Sequence, residues 1–193
     1  MIERLAATRV VVELAPASPI VASIGNPSSD LAAVADKPEN VYVRAMGMAS
    51  SFGLGLALAL PARRVVILDG DGALLMNLSS LATAGMHQPP NLVHVIWDNG
   101  VWEITGGQPI GSAHGVDLAG VARACGFRQV ARVETLADFR DVFAQAMRDQ
   151  RPRVIVAAIE PGNSHHSTPL ETMPLRTRFQ TATPRRTVPG ALP

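Results

Sequence analysis

Cysteine is nearly absent from this sequence: Cys125 is the single thiol in 193 residues. One cysteine excludes an intrachain disulfide and any metal centre built only from thiolates. Charge is also scarce, with 17% charged residues and a formal net charge of +1. Such a balance lacks the basic surface that nucleic-acid binding requires, so we expect no nucleic-acid partner.

Long uninterrupted apolar segments are missing as well. Charged residues and prolines break up the first 24 residues, which therefore do not read as a signal peptide. The longest charge-free run, residues 45–62, is rich in glycine, alanine and serine and predicts a buried helix better than a membrane span. We therefore expect a cytoplasmic protein without a membrane partner. The 47% hydrophobic content excludes a wholly disordered chain.

Short apolar runs alternate with longer segments of helical character. The apolar runs predict strands at residues 20–24, 41–43, 65–68, 92–97, 130–133 and 154–159. The remaining segments predict helices at residues 2–14, 28–35, 47–60, 72–87, 117–125 and 136–148. This order is typical of the α/β class, with a doubly wound, mostly parallel sheet covered by helices on both faces.

The chain from Pro161 onward changes in character. It holds six prolines and shows no long apolar period. We therefore predict a single domain over residues 1–180 and a disordered tail over residues 181–193. Neither an internal repeat nor a second domain is visible in the sequence.

Four loops follow predicted strands and should lie at one edge of the sheet. They cover residues 25–28, 44–47, 69–72 and 98–101. In open parallel sheets, ligands bind beyond the carboxyl ends of the strands, because the helical connections return the chain to the opposite edge. We therefore expect the functional residues to lie in these loops.

The most specific motif is Gly70-Asp71-Gly72, separated by 26 residues from Asn99. Both parts follow predicted strands, so a carboxylate and an amide oxygen should converge. These are hard ligands for Mg²⁺ or Ca²⁺. The helix predicted from Gly72 would aim its first amides at the same point and favour an anion. Gly-Asp-Gly alone is more often an ordinary turn, but its strand context and Asn99 favour a metal-bridged diphosphate site.

The segment from Gly70 to Asn99 resembles the signature of thiamine-diphosphate-dependent enzymes. Residues 46–51, 70–77 and 105–109 are closer still to one group, the β subunit of sulfopyruvate decarboxylase and the C-terminal part of phosphonopyruvate decarboxylase. The resemblance runs from about Ile20 to Arg178. It implies the thiamine-diphosphate-binding fold, the cofactors thiamine diphosphate and Mg²⁺, and decarboxylation of a 2-oxo acid.

The resemblance also implies roles for individual positions. The metal ligands would be the side chains of Asp71 and Asn99 and the backbone carbonyl of Val101. Other cofactor contacts would come from a wider set: Gly25, Asn26, Arg44, Met46, Gly70, Gly72, Ala73 and Trp102. The glycine-rich loop over residues 102–114 would close over the site, and its candidate substrate contacts are Glu103, Gly106, Gly107, Gln108 and His114. A passive surface loop with glycines at its turns is the plainer alternative.

One half of such a site is missing from this sequence. Thiamine enzymes also need a pyrimidine-binding domain that carries an activating glutamate, and no second α/β unit is visible here. The resemblance therefore implies a separate α subunit, in an α2β2 or larger assembly, with a small 2-oxo acid as substrate. Two alternatives remain open: a subunit of a split carboligase of the acetolactate-synthase kind, and a non-catalytic nucleotide-binding module.

Overall fold

The computed structural model describes residues 1–167 and 172–183. Its strands are β1 (Ile20–Ala22), β2 (Val41–Tyr42), β3 (Val65–Gly70), β4 (Leu92–Asp98), β5 (Val101–Trp102), β6 (Gln108–Pro109), β7 (Gln129–Val133) and β8 (Arg153–Ala158). Six of them form one sheet in the order β2-β1-β3-β4-β8-β7, and every pair in it is parallel. The short strands β5 and β6 form a separate antiparallel hairpin. The predicted mostly parallel α/β sheet is confirmed.

Helices cover both faces of this sheet. They are α1 (Arg4–Leu14), α2 (Asn26–Val34), α3 (Ala49–Ala59), α4 (Asp71–Met76), α5 (Ser79–His87), α6 (Leu118–Ala124), α7 (Leu136–Arg148) and α8 (Thr172–Ala182). Side chains from α1, α2 and α7 share one buried cluster, and side chains from α3 to α6 share another. Successive strand residues alternate between the clusters, as Val66 and Ile67 do. Burial on both faces explains the continuous apolar runs.

The helix predicted over residues 72–87 is in fact two helices. The break falls at Asn77, whose Nδ2 donates to the Gly47 carbonyl at 2.8 Å and to Ser51 Oγ at 3.0 Å. Ser79 Oγ donates to Asn77 Oδ1 at 3.1 Å. Side-chain bonds of this kind compete with helix continuation, so the prediction of one long helix was wrong. Its six-residue first part, α4, is too short to act as a strong dipole.

The start of α2 also differs from the prediction. The helix begins at Asn26 with Pro27 in its first turn, a position where proline is well tolerated. Ser28, the first residue of the predicted helix, lies inside the observed one, and its Oγ donates to the Ser23 carbonyl at 2.7 Å. Gly25 takes the cap position with φ of 91°, a conformation that favours glycine.

The segment beyond Pro161 contains a helix that the sequence did not predict. Helix α8 reaches Ala182, just beyond the predicted domain end at residue 180. Arg178 fixes this helix to the domain, because its Nη1 lies 3.0 Å from Asp36 Oδ2. The rest of the predicted tail, residues 184–193, lies outside the described residues. Among the described residues, no helix has the length and apolarity needed to cross a membrane.

The strand register brings the predicted loops together. Ala22 pairs with Leu68, and Gly70 pairs with Trp97, so β1, β3 and β4 end side by side. Helix α2 leaves β1 on one face, and α4 leaves β3 on the other. The carboxyl ends of β1 and β3 therefore form a crevice of the kind that holds ligands in doubly wound folds.

Candidate cofactor site at the carboxyl edge of the sheet

An open cleft with a cavity volume of about 80 Å³ lies over the ends of β1, β3 and β4. Most of the predicted cofactor residues line it: Asn26, Met46, Gly70, Asp71, Gly72, Ala73, Asn99, Val101 and Trp102. Sequence reasoning thus placed residues from four separate loops in one cleft.

Asp71 is the buried carboxylate of this cleft. Its Oδ1 accepts from the Gly72 amide at 2.8 Å, and its Oδ2 accepts from the Gly100 amide at 2.8 Å and from Ser112 Oγ at 2.9 Å. Burial raises the pKa of Asp71 to about 6, although the bonds from Gly100, Gly72 and Ser112 oppose the shift. A side-chain hydrogen bond with Asp98 adds to the rise in pKa, and the three donors are neutral, so none of them balances the charge of the carboxylate.

Asn99 lies beside this carboxylate, because Gly100 links the two through its bond to Asp71. Asn99 Oδ1 accepts from the Val101 amide at 3.1 Å, and its Nδ2 donates to Glu103 Oε2 at 3.1 Å. Glu103 also accepts from the Gly162 amide at 2.9 Å. Glu103 therefore fixes the orientation of the Asn99 amide, with its nitrogen turned toward Glu103 and its oxygen available on the other side.

The donor set fits a small hard cation. It offers a carboxylate, an amide oxygen and the carbonyl of Val101, which suits Mg²⁺ with phosphate and water completing the shell. Among the described residues, no group of three or more histidine, cysteine or acidic side chains could hold a metal by itself. A metal here would therefore depend on a bound phosphate group, as the motif predicts.

Two loop side chains cover glycines of the cleft. A Cβ at Gly72 would lie 2.5 Å from the ring of Trp102, and a Cβ at Gly25 would lie 2.1 Å from Ile104 Cδ1. At Gly72 a side chain would displace the Trp102 ring, whereas at Gly25 the tip of Ile104 could move, and the φ of 91° is what favours glycine there. Gly70 has open space at its Cβ position, which leaves the backbone of β3 accessible from the cleft.

The remaining predicted residues lie away from the cleft floor. Arg44 is exposed and does not line the cleft, and Gly25 lies beneath Ile104. Of the predicted substrate residues, Glu103 lines the cleft. The others are exposed: Gly106, Gly107 and Gln108 in the β5–β6 turn and His114 in a 3-10 turn.

Several residues at the site escaped sequence reasoning. Ser112 bonds Asp71 across 41 positions of sequence, and no local motif marks it. Arg4, Ser23 and Trp97 also line the cleft. Trp97 is buried, at 1% exposure. Ser23 directly follows β1 but lies inside the strand predicted over residues 20–24, so no local signal marked it.

A parallel doubly wound sheet with an acid–amide pair at adjacent strand ends is typical of one class of protein, domains that bind a diphosphate cofactor. Residues 23–157 match the family model described as "Thiamine pyrophosphate enzyme, C-terminal TPP binding domain". The chain belongs to this family, and thiamine diphosphate is the cofactor that the family binds. The resemblance inferred from Gly70-Asp71-Gly72 and Asn99 is confirmed.

The chain is similar over most of its length to named decarboxylases. It is 45% identical over 156 residues to the phosphonopyruvate decarboxylase of Streptomyces viridochromogenes. The aligned region covers 80% of this chain but only 39% of that protein. It is 39% identical over 169 residues to "Sulfopyruvate decarboxylase subunit beta" of Methanocaldococcus jannaschii, covering 86% of this chain and 88% of that subunit. The chain thus spans about two fifths of the first relative and nearly all of the second.

A solved structure supports the fold. The thiamine diphosphate-dependent 4-hydroxybenzoylformate decarboxylase of Rhodococcus jostii RHA1 superposes with a TM-score of 0.70 at 21% identity, over 84% of this chain and 33% of that one. Identity at this level shows a common fold and nothing about the substrate.

Proposed function

We propose that this chain is the diphosphate-binding β subunit of a thiamine-diphosphate-dependent 2-oxo acid decarboxylase. One observation carries the proposal: the buried Asp71 carboxylate, held by neutral donors, lies beside Asn99 at adjoining strand ends. The similarity to sulfopyruvate and phosphonopyruvate decarboxylases supports a 2-oxo acid with a sulfonate or phosphonate end.

Different residues of the cleft would hold different parts of the cofactor. Asp71, Asn99 Oδ1 and the Val101 carbonyl would bind Mg²⁺, while the backbone around Gly70, Gly72 and Ala73 would meet the diphosphate. Asn26 would contact it from the β1 loop. When bound, thiamine diphosphate supplies a thiazolium that adds to a 2-oxo carbon and accepts the electrons left by departing CO₂. The carbonyl of Arg44 would bind the aminopyrimidine, and Met46 would support the bent cofactor.

A partner subunit would complete the site. Apolar side chains are exposed around the cleft mouth and on α3, namely Met46, Met48, Phe52, Met76 and Ile104. A concentration of exposed large apolar residues is typical of an interaction surface. Gly55 leaves one position of α3 without a side chain, and there is open space where its Cβ would be. We propose that a pyrimidine-domain α subunit covers this surface and supplies the activating glutamate, in a cytoplasmic α2β2 or larger assembly.

The loop over residues 102–114 is proposed to close over bound substrate. It is largely exposed, and Ile110 anchors its far end in the core. Glu103 at the cleft, the amides of Gly106 and Gly107, the Gln108 side chain and His114 are the candidate substrate contacts. Glycine-rich, weakly packed segments belong to the least stable part of a fold, as lids must.

Reconstitution with the α subunit tests the proposal. The assembled complex should release CO₂ from sulfopyruvate or phosphonopyruvate and form the corresponding aldehyde, whereas the chain alone should be inactive. A split carboligase would instead form acetolactate from pyruvate, and a non-catalytic module would turn over neither. Turnover by the rigorously purified single chain would contradict the proposed partnership.

A further inference from the structure

Arg4 is a buried cation at the floor of the cleft. It is the first residue of α1, it is 7% exposed, and it lines the cleft with Asn26 and Pro27. Its Nε donates to Asp30 Oδ2 at 2.7 Å. Within the described part of the chain, no other side-chain hydrogen bond of Arg4 is found, so the two terminal amino groups lack a protein acceptor.

Ser23 and Trp97 present two more donors without acceptors at the same floor. Ser23 is fully buried and Trp97 is 1% exposed, and both line the cleft. Neither Ser23 Oγ nor Trp97 Nε1 has a hydrogen-bond partner among the described residues. Since buried polar groups are almost always paired, two such donors beside an incompletely paired guanidinium indicate an acceptor that comes from outside the chain.

The topology brings these donors to the same edge of the sheet. Ser23 follows β1 and Trp97 lies at the end of β4, and these two strands flank β3, which ends at Gly70. The Trp97 side chain belongs to the core cluster on the α1 and α2 side of the sheet. Arg4 approaches from that same side. The start of α2 faces the cleft there too, without a side-chain cap on its amides.

We infer that Arg4, Ser23 and Trp97 form an oxyanion recess that binds the terminal phosphate of the diphosphate cofactor. The inference rests on the proposed function of the cleft as a cofactor site. Asp30 holds the guanidinium through Nε, which leaves its terminal amino groups free for a phosphate oxygen. Arg4 is the one cationic side chain among the described residues that line the cleft; since Asp30 already balances its charge, it would act as a hydrogen-bond donor to the phosphate.

The burial of the three donors excludes contact between them and the reacting substrate. All three donors are at least nine-tenths buried, so only a terminal group that reaches the floor can accept from them. Met46, the predicted support of the bent cofactor, is 41% exposed at the mouth. A substrate that reacts at the thiazolium would therefore lie near the mouth, and the anionic end of the cofactor would lie at the floor.

Phosphorus-31 NMR titration of the full chain tests the recess without any turnover. The probes are inorganic pyrophosphate and thiamine diphosphate, each with Mg²⁺ and at millimolar concentrations that suit weak binding. Arg4→Met should weaken both affinities by roughly tenfold or more, because it removes charge-assisted bonds to the ligand. Ser23→Ala should weaken them by a few-fold. Arg9→Met, an exposed arginine on the same helix, is the matched control and should bind as the wild type does.

Three results would overturn the inference. If the wild type binds and both Arg4→Met and Ser23→Ala bind equally well, the donors serve water or the fold and not the phosphate. If Arg4→Met fails to fold and Ser23→Ala binds like the wild type, the recess is likewise refuted. If the wild-type chain binds neither probe, the assignment of the cleft as a diphosphate site fails together with the recess, which separates that failure from the first two.

Discussion

The two edges of the parallel sheet differ in how many hydrogen bonds their buried polar side chains make within the chain. At the amino edge, Asn91 Nδ2 donates to the carbonyls of Ala57, Leu60 and Arg63 at 2.9, 2.9 and 2.8 Å. Arg153, 5% exposed, lies 2.7 Å from Asp149. At the carboxyl edge, the side chains of Ser23 and Trp97 have unpaired donors within the described residues. Among the described residues both edges keep buried atoms without a partner, Asn91 Oδ1 and Arg153 Nε at the amino edge included. The difference is that the amino-edge side chains also make several hydrogen bonds within the chain.

This contrast separates folding from function within one sheet. Polar side chains at the amino edge close chain turns with bonds inside the protein, and each bond adds to stability. Those at the carboxyl edge include a carboxylate with a raised pKa and donors without partners, which cost stability until a ligand arrives. Such a cost is expected where a fold holds a preorganised site.

The largest expected effect comes from removing the carboxylate of the cleft. Asp71→Ala should lower Mg²⁺-dependent affinity for thiamine diphosphate by more than about 100-fold, since losing one partner of a buried charge pair costs about 3–5 kcal/mol. Calorimetric titration of the assembled complex measures it. Asp149→Ala at the amino edge is the matched control, because it removes a carboxylate paired with Arg153 far from the cleft. Unchanged affinity in Asp71→Ala would refute the metal assignment.

The amino edge should respond in stability and not in binding. Asn91→Ala leaves three buried carbonyls without their donor, and at about 1 kcal/mol for each bond we expect a loss of about 2–3 kcal/mol in the free energy of unfolding. Urea denaturation measures the loss. Cofactor affinity of the folded variant should match the wild type; a large drop in affinity would show that the two edges are coupled.

Asp71→Asn should separate the effect of Asp71 on the pH dependence of stability from its role in metal binding. Since the pKa of Asp71 in the folded chain, about 6, lies above its ordinary value of 3.8, this group stabilises the fold fully below about pH 4 and loses that contribution as pH rises through about 6. The neutral amide should therefore remove this change of the unfolding free energy of the metal-free chain between pH 5 and pH 7 and abolish metal binding. No net gain in stability is expected, because its Nδ2 would face a donor that the carboxylate now accepts from. Urea denaturation with a chelator at pH 5 and pH 7 checks the sign. An identical pH dependence in variant and wild type would contradict it.

The smallest expected effect concerns Trp102. Its ring lies against Gly72, where the diphosphate is proposed to bind, so ligand binding should change its fluorescence. Trp102→Phe should remove the Trp102 part of that change, leaving the part that comes from Trp97, and shift affinity by no more than a few-fold, because an aromatic ring remains. Hydrogen exchange over residues 102–114 should slow when cofactor binds. A full fluorescence change in the variant would place the signal at Trp97, at the floor of the cleft.

The sequence by itself determined the parallel α/β fold of this protein and the edge of the sheet where the candidate site lies. The apolar runs of β3 and β4 predicted buried parallel strands, and parallel strands joined by helices must end at one edge. That rule is why Asp71 and Asn99 could be placed together from spacing alone. It also explains why the loops containing Asn26 and Met46 were predicted at the same cleft, since each follows a strand of the same sheet.

Only the tertiary structure decided the contacts between residues that no local pattern connects. The bonds of Asn77 divide α4 from α5, and Ser112 reaches Asp71 from a loop far along the chain. Arg4 lies 26 positions from Asp30 and reads in the sequence as an ordinary helix residue. Periodicity and propensity describe neighbours along the chain, whereas these contacts depend on how separate elements pack, and packing fixes which polar groups find partners and which remain for a ligand.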